Sequence, residues 1–300
     1  MLGLRGKRGG HGTAADVITR AKTLPSGDYR RWRVLAELND VNIKTVFDTA
    51  AELIESGDRD SMVLGAEILD GVFTARYREG KRFAREGVQL LGPLCAPDQD
   101  PILLATALHP YSAISPITDS LLFDLLKHPD ARVRTSACQL IAIEQERAGD
   151  NRIAEALIEA LEQDSNHDVR SQAAAGLLLV YCNDERCKAQ IASALAGFSN
   201  DPLPAVRVVA IQATSGDDAE RILARLTAEL HNPQADWRFV QACHGRGFWE
   251  AASHDTRADA RQALTRLDEQ NWAERETPGQ YPLADERAEI LAEAIEAVAP

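Results

Sequence analysis

The sequence predicts an all-α chain, an α-solenoid (α-α superhelix) of about seven to eight stacked helix pairs, on three observations. A short pattern, Val-Arg-x-x-Ala, recurs at Val133, Val169 and Val206. From each valine, apolar or small residues follow at +4, +7 and +8, as Val169, Ala173, Gly176 and Leu177 do, which is the stripe of one helical face. A second amphipathic segment precedes each mark, such as Ile117, Leu121, Leu122, Leu125 and Leu126, or Ala154, Leu157, Ile158 and Leu161. No run alternates apolar and polar residues over a useful strand length.

The alanine at +4 is small because a neighbouring helix must come close there; a larger side chain would force the pair apart. Extending the register adds Trp32 with Ala36, Met62 with Ala66, Leu103 with Ala107, and Trp237 with Gln241, at intervals of roughly 30 to 41 residues. Helix-start signals fall in the turns between partners: Asp60-Ser61, Asp100-Pro101, Asp130, and Pro204 after Asp201. The expected pairs are 13–23 with 29–39, 42–56 with 61–75, 80–95 with 101–114, and 116–128 with 131–146. They continue as 151–163 with 167–182, 184–199 with 204–215, and 217–231 with 236–250, before a charged closing pair at 256–272 and 283–298. The chain thus divides into a flexible basic tail (1–12), divergent repeats (13–115), regular repeats (116–250) and capping helices (251–300).

Composition agrees with packed helices: 45% hydrophobic, 26% charged and only 5% aromatic residues. The longest apolar stretch, Ala173 to Cys182, is about half of what a membrane-spanning helix needs, so no span is expected. The basic start is not followed by an apolar core, which argues against a secretory signal and for a cytoplasmic protein. Five cysteines without a Cys-x-x-Cys read as reduced packing residues. The net charge of -13 is uneven: residues 1–33 carry eight Lys or Arg against Asp16 and Asp28, which leaves the remainder at -19. So acidic a body repels a phosphate backbone and argues against nucleic acid on the main surface; a basic protein or peptide suits it better.

In these marks the sequence resembles the HEAT-repeat superfamily, including bacterial repeats described as phycobilin-lyase-like, most specifically over residues 117–240. The resemblance implies HEAT-type helix pairs with an Asp in the inter-helix turn six residues before the Arg, stacked into a hydrogen-bonded ladder. Asp164 with Arg170 and Asp201 with Arg207 match that spacing. His128 before Arg134 and Asn232 before Arg238 depart from it, so the ladder is expected to weaken at those ends. It also implies an armadillo-like scaffold for protein–protein interaction, whose second helices line a concave face.

Catalytic chemistry finds little purchase. Gly3, Gly6, Gly9 and Gly10 follow no strand and so make no phosphate loop. None of the seven histidines is followed by Glu, which excludes the di-iron arrangement of the HEAT-repeat hydroxylases. Cys182 with Cys187, and Cys243 with His244 and His254, lack metal-ligand spacing. No Gly-x-Ser-x-Gly elbow is present. Asp236, Trp237, Arg238 and Trp249 form the nearest constellation to that of HEAT-like alkylpurine DNA glycosylases, the alternative reading beside nucleic-acid binding, although Trp237 occupies a packing position and Asp236 a capping one. The chromophore activity of phycobilin lyases has no site of its own here. The expectation is a non-catalytic protein without metal or cofactor.

Positions +2, +6 and +9 face away from the buried stripe and define the expected partner surface: His109, Gln139, Ser171, Leu178, Val208, Gln212, Phe239 and Arg246. Leu178, Val208 and Phe239 would make an apolar docking stripe across three repeats, with Trp249 as an aromatic anchor. Basic segments at Tyr29-Arg30-Arg31-Trp32-Arg33 and Arg76 to Arg85 are second candidates, for nucleic acid or an acidic surface. A monomer is the expected state.

Overall fold

The computed structural model describes residues 13–143, 152–216, 218–244, 248–275 and 280–299, so the predicted basic tail lies outside the described residues. Every regular element among them is helical. The chain forms two compact units, residues 1–121 and 122–300, a division six residues beyond the predicted 115/116 boundary. No described helix is long and apolar enough to cross a membrane.

The first unit begins with α1 (Ala14–Lys22) and α2 (Tyr29–Ala36), followed by α3 (Ile43–Glu55) and α4 (Arg59–Asp70). It continues through α5 (Tyr77–Gly80), α6 (Ala84–Leu91) and α7 (Pro101–Ser112). The pairs α1/α2, α3/α4 and α6/α7 pack on one another, and α4 packs on α7. Side-chain caps set the starts: Asp28 for α2, Asn42 for α3, and Asp100 for α7, where Pro101 fills the first turn. The start of α4 is capped by Asp58, which accepts from the Ser61 amide at 3.0 Å, rather than by the predicted Asp60. The predicted helix at 80–95 is broken into short pieces, because Gly80 and Gly92-Pro93 are poor helix formers. At two of the unit's glycines a Cβ would strike backbone. A Cβ on Gly65 would lie 2.7 Å from Ile54 Cγ1 and 2.8 Å from the Ala50 carbonyl, so α3 and α4 cross there only because the side chain is absent. A Cβ on Gly80 would stand 2.2 Å from the Val72 carbonyl, in the π-helical turn Gly71–Ala75 that extends α4.

The first repeat's predicted register needs correction. Trp32 is 49% exposed, whereas Arg31 and Leu35 are buried. An arginine takes the inward position because its guanidinium finds an acid there, Glu67 of α4, at 2.7 Å.

Helix α8 (Asp119–Leu125) spans the division. The second unit then holds α9 (Ala131–Ile143), α10 (Arg152–Gln163), α11 (His167–Asn183), α12 (Lys188–Ala196) and α13 (Pro204–Thr214). It ends with α14 (Ala219–Leu230), α15 (Trp237–Ala242), α16 (His254–Glu269) and α17 (Ala284–Ala297). Each second helix packs on the next: α9 on α11, α11 on α13, α13 on α15, and α15 on α17. The intervening helices pack against these, α10 on α11 and α12 on α13, and α14 packs on α16. Helix α15 stops at Ala242, well short of the predicted 250, and glycines follow at 245 and 247.

The small positions sit where the pattern placed them: Ala137, Ala173 and Ala210 are completely buried, as are Val133 and Val206, with Val169 at 1% exposure. Ala173→Leu is therefore expected to cost about 1–3 kcal/mol by overpacking, read by chemical denaturation. Ala175→Leu, on the exposed side of the same helix, should change stability by less than about 0.5 kcal/mol. Equal effects would show that α11 is not clamped between neighbours.

The five cysteines are free thiols, four of them buried and Cys182 exposed. Burial pushes the Cys95, Cys138 and Cys243 thiols up to about 12, which keeps them protonated and unreactive.

Candidate functional site

Four groupings among the described residues bear on function. The first is a chain of ion pairs in the second unit. Arg134 forks onto Asp164 through Nε and Nη2 at 2.6 and 3.0 Å, while its Nη1 donates to the His128 and Pro129 carbonyls. Arg170 Nη2 donates to Asp201 Oδ2, and Arg170 Nε to the Leu161 carbonyl. Arg207 donates from Nη1 to the Asp201 carbonyl at 2.8 Å and forks onto Glu229 at 2.9 and 3.0 Å. Each arginine thus binds backbone at the end of its own pair and a carboxylate of the next. The Arg134 guanidinium holds the Asp164 carboxyl below the usual carboxylate range.

These contacts give the expected ladder its connectivity. The Asp and Arg six residues apart are not each other's side-chain partners: the acids answer arginines of the preceding pair. At the Asn232 end Glu229, one turn earlier on α14, supplies the carboxylate to Arg207, and the ladder stops there. Arg238 lies outside the ladder; it pairs with Asp236, the cap of its own helix, at 3.2 Å.

The second grouping is His109 on α7 and Asp70 at the end of α4, with Nδ1 and Oδ1 2.6 Å apart and both side chains partly exposed. The hydrogen bond to Asp70 raises the His109 pKa, against the opposing effect of burial. A raised folded-state value means that this stabilisation is complete below the unfolded value of about 6.5 and is lost as pH rises through the folded one. With about a third of the imidazole exposed, His109→Gln should cost no more than about 1 kcal/mol at acid pH. Urea midpoints of wild type and variant should converge as pH rises; a constant gap would assign the contact to packing alone.

The third grouping is the face of α2, where Trp32 stacks on Tyr29 with ring centroids 5.4 Å apart and planes inclined by 19°. The fourth is a cleft of about 830 Å³ between the turn into α15 and the segment joining α16 to α17. Its lining includes Asp236, Trp237, Arg238, Arg275, Tyr281 and Arg287, over the buried Trp272. The edge of one ring meets the face of the other between Trp237 and Tyr281, 5.0 Å apart, and Arg238 lies 4.7 Å over Trp237.

The predicted partner surface is only partly on the outside. Gln139 is exposed, and Ser171, Leu178, Gln212 and His109 are half-buried, His109 being engaged with Asp70. Val208 is 8% exposed and Phe239 1%, so the apolar stripe is core. The reason is that α13 and α15 are enclosed by helices on several sides; α13 buries seven of its residues, and Arg207 lies 5.3 Å over the Phe239 ring. Trp249 is likewise withdrawn, 3% exposed, with Nε1 donating to the Cys243 carbonyl at 2.7 Å. That leaves the glycosylase-like constellation without its second aromatic wall, and Asp236 is occupied by capping and by Arg238. Arg246 lies outside the described residues. The apolar side chain that does reach solvent on α11 is Leu179, 40% exposed.

Sequence reasoning missed Arg275, Tyr281 and Arg287, because they stand outside the repeats and come together with Asp236 only through folding. Among the described residues, no group of three His, Cys, Asp or Glu side chains is placed to hold a metal. Compared with known proteins, the chain matches no family model and no curated protein.

Proposed function

We propose that this chain is a cytoplasmic, non-catalytic HEAT-type α-solenoid scaffold that binds another protein or peptide through the surface of its second helices. The observation that carries the reading is the repeated arginine link from one helix pair to the next, Arg134 to Asp164 and Arg170 to Asp201, which stitches units in series as a stacked array requires. Layered contacts of second helix on second helix support it, as do the small buried residues at matched positions. The surface left for a partner centres on Gln139, Leu178, Leu179 and Gln212, which belong to three adjacent second helices. Residues 122–300 hold 18 Lys or Arg against 30 Asp or Glu, so the partner is a basic protein or peptide whose association weakens with salt.

Affinity isolation of the native complex, identified by mass spectrometry, tests this. A stoichiometric basic partner is expected, and Leu179→Asp should release it while the helical circular dichroism stays unchanged. A chain that isolates alone, or a variant that retains its partner, would count against the reading.

A second reading has one observation behind it. Trp32, exposed and stacked on Tyr29 between Arg30 and Arg33, is a base-stacking platform of the kind used for single strands. It requires single-stranded nucleic acid to bind with a steep salt slope and to be lost in Trp32→Ala.

A further inference from the structure

The basic segment of the first unit is a charged surface that neither reading of function uses. Its helical turns follow one another without a break: α5 (Tyr77–Gly80), the 3-10 turn Lys81–Phe83, and α6 (Ala84–Leu91). Arg78, Lys81, Arg82 and Arg85 stand at the i, i+3, i+4 and i+7 spacing that shares one helical face. All four are exposed, and Tyr77 beside them is 47% exposed. Acids of the segment do not cancel them: Glu79 is taken by Arg76 at 2.7 Å, and among the described residues none of the four cations meets a carboxylate. Exposed arginines elsewhere, such as Arg20, Arg59 and Arg186, each do. Like charges four residues apart, as Arg78 and Arg82 or Lys81 and Arg85 are, destabilise a helix, so this face gains nothing within the fold from its own charge.

The opposite face fixes these turns to the unit. Gly80 and Gly87 are buried, and a Cβ on Gly87 would lie 2.4 Å from the Phe73 ring. Phe83 stacks on Phe47, with ring centroids 4.6 Å apart, and Arg76 donates to the Val41 carbonyl at 2.7 Å. The backbone carrying the cations is therefore ordered before a partner arrives, which lowers the entropic cost of binding. Charge around the face is permissive as well. Residues 1–121 hold 15 Lys or Arg against 16 Asp or Glu, so the excess of acid that repels phosphate belongs to the second unit.

The partner's chemistry follows from what the face lacks. With the apolar side of these turns already packed on Phe73 and Phe47, little is left to insert into a bilayer, as an amphipathic membrane helix must. Four cations with no acid paired among them fit a partner of uniform negative charge. Three of the four are arginines, whose planar forks match phosphate oxygens, and Tyr77 offers a ring to a neighbouring base. We infer that the face formed by Arg78, Lys81, Arg82 and Arg85 binds the phosphate backbone of a nucleic acid. None of these residues belongs to the ladder, to the proposed partner surface or to the Trp32 platform, so the site stands independently of both readings.

Fluorescence polarisation of the full chain with a labelled short duplex DNA, and with its single strand, tests it. Four phosphate contacts predict a slope of log affinity on log salt of about -3.6 for the duplex or about -2.8 for the single strand. Each single change to Gln should flatten that slope by about 1, and the fourfold variant Arg78→Gln, Lys81→Gln, Arg82→Gln, Arg85→Gln should weaken binding by about tenfold or more at low salt. Lys22→Gln with Lys44→Gln removes exposed cations elsewhere in the same unit and should leave affinity within about twofold. Circular dichroism of both variants should match wild type, since every replaced side chain is exposed. Trp32→Ala distinguishes the two nucleic-acid proposals: it removes a stacking ring and leaves the salt slope of this face unchanged. The inference is overturned if neither DNA binds below about 100 μM at low salt, if the fourfold variant binds as wild type does, or if phosphatidylserine vesicles or polyglutamate bind through these residues while DNA does not.

Discussion

Replacing Arg170 by Met is expected to destabilise the second unit by about 3–5 kcal/mol, because it removes one partner of an enclosed ion pair and strands the other. The stranded group is Asp201, whose side chain is 6% exposed. Its remaining support is the Leu203 amide at 2.9 Å, one hydrogen bond for a carboxylate that had two. Met keeps most of the aliphatic length of Arg, so packing changes little and the loss reports on the charge together with the hydrogen bond from Arg170 Nε to the Leu161 carbonyl. A rescue separates the two: Arg170→Met with Asp201→Leu removes both charges and should recover most of the stability, since an apolar pair can replace a buried ionic one. Urea denaturation followed by circular dichroism reads all three proteins. If the single variant loses less than about 1 kcal/mol, Asp201 is solvated and the ladder is decorative.

A loss of similar size, about 3–5 kcal/mol, is expected from Trp272→Ala. Trp272 is completely buried, donates its indole N–H to the Ala235 carbonyl, and carries the Arg287 guanidinium on its face. Truncation empties a large volume, leaves that carbonyl without its donor, and removes the seat of Arg287. Trp272→Phe divides these contributions: it keeps most of the apolar area and loses the donor, at about 1–3 kcal/mol. Thermal melts would rank wild type above Phe above Ala. Indistinguishable Phe and Ala variants would mean that the hydrogen bond, rather than the volume, holds the α16–α17 segment to the α15 turn.

The helical pairs were legible in the sequence wherever the apolar period was regular. Val133, Val169 and Val206 with their alanines are core, and α10, α11 and α13 follow the expected bounds to within a residue, whereas α12 covers only 188–196 of the expected 184–199 and the expected end of α9 lies outside the described residues. The reading slipped where a residue's type hid its environment. Arg31 faces inward because Glu67 waits for it, and Trp32 faces outward, the reverse of what hydrophobicity suggests. Outward positions were harder still. A helical wheel assumes one buried side, whereas α13 and α15 are enclosed on several, which placed Val208 and Phe239 in the core. The ladder was visible as spacing, but not its connectivity: the wheel of one repeat cannot show that Asp164 answers Arg134 across 30 residues. Glu229, substituting for an Asp at position 232, has no signal in the repeat at all. The cleft was invisible for a related reason, since Asp236 and Arg287 share no motif.

A double-mutant cycle on Arg134 and Asp164 tests the central claim, that successive helix pairs are locked in register by side chains reaching from one to the next. Arg134→Met, Asp164→Asn and the double variant, compared by urea denaturation, should give a coupling energy of about 1.5–3 kcal/mol, because both side chains are largely enclosed and meet in a two-point fork. Additive single effects, with coupling below about 0.5 kcal/mol, would contradict the account.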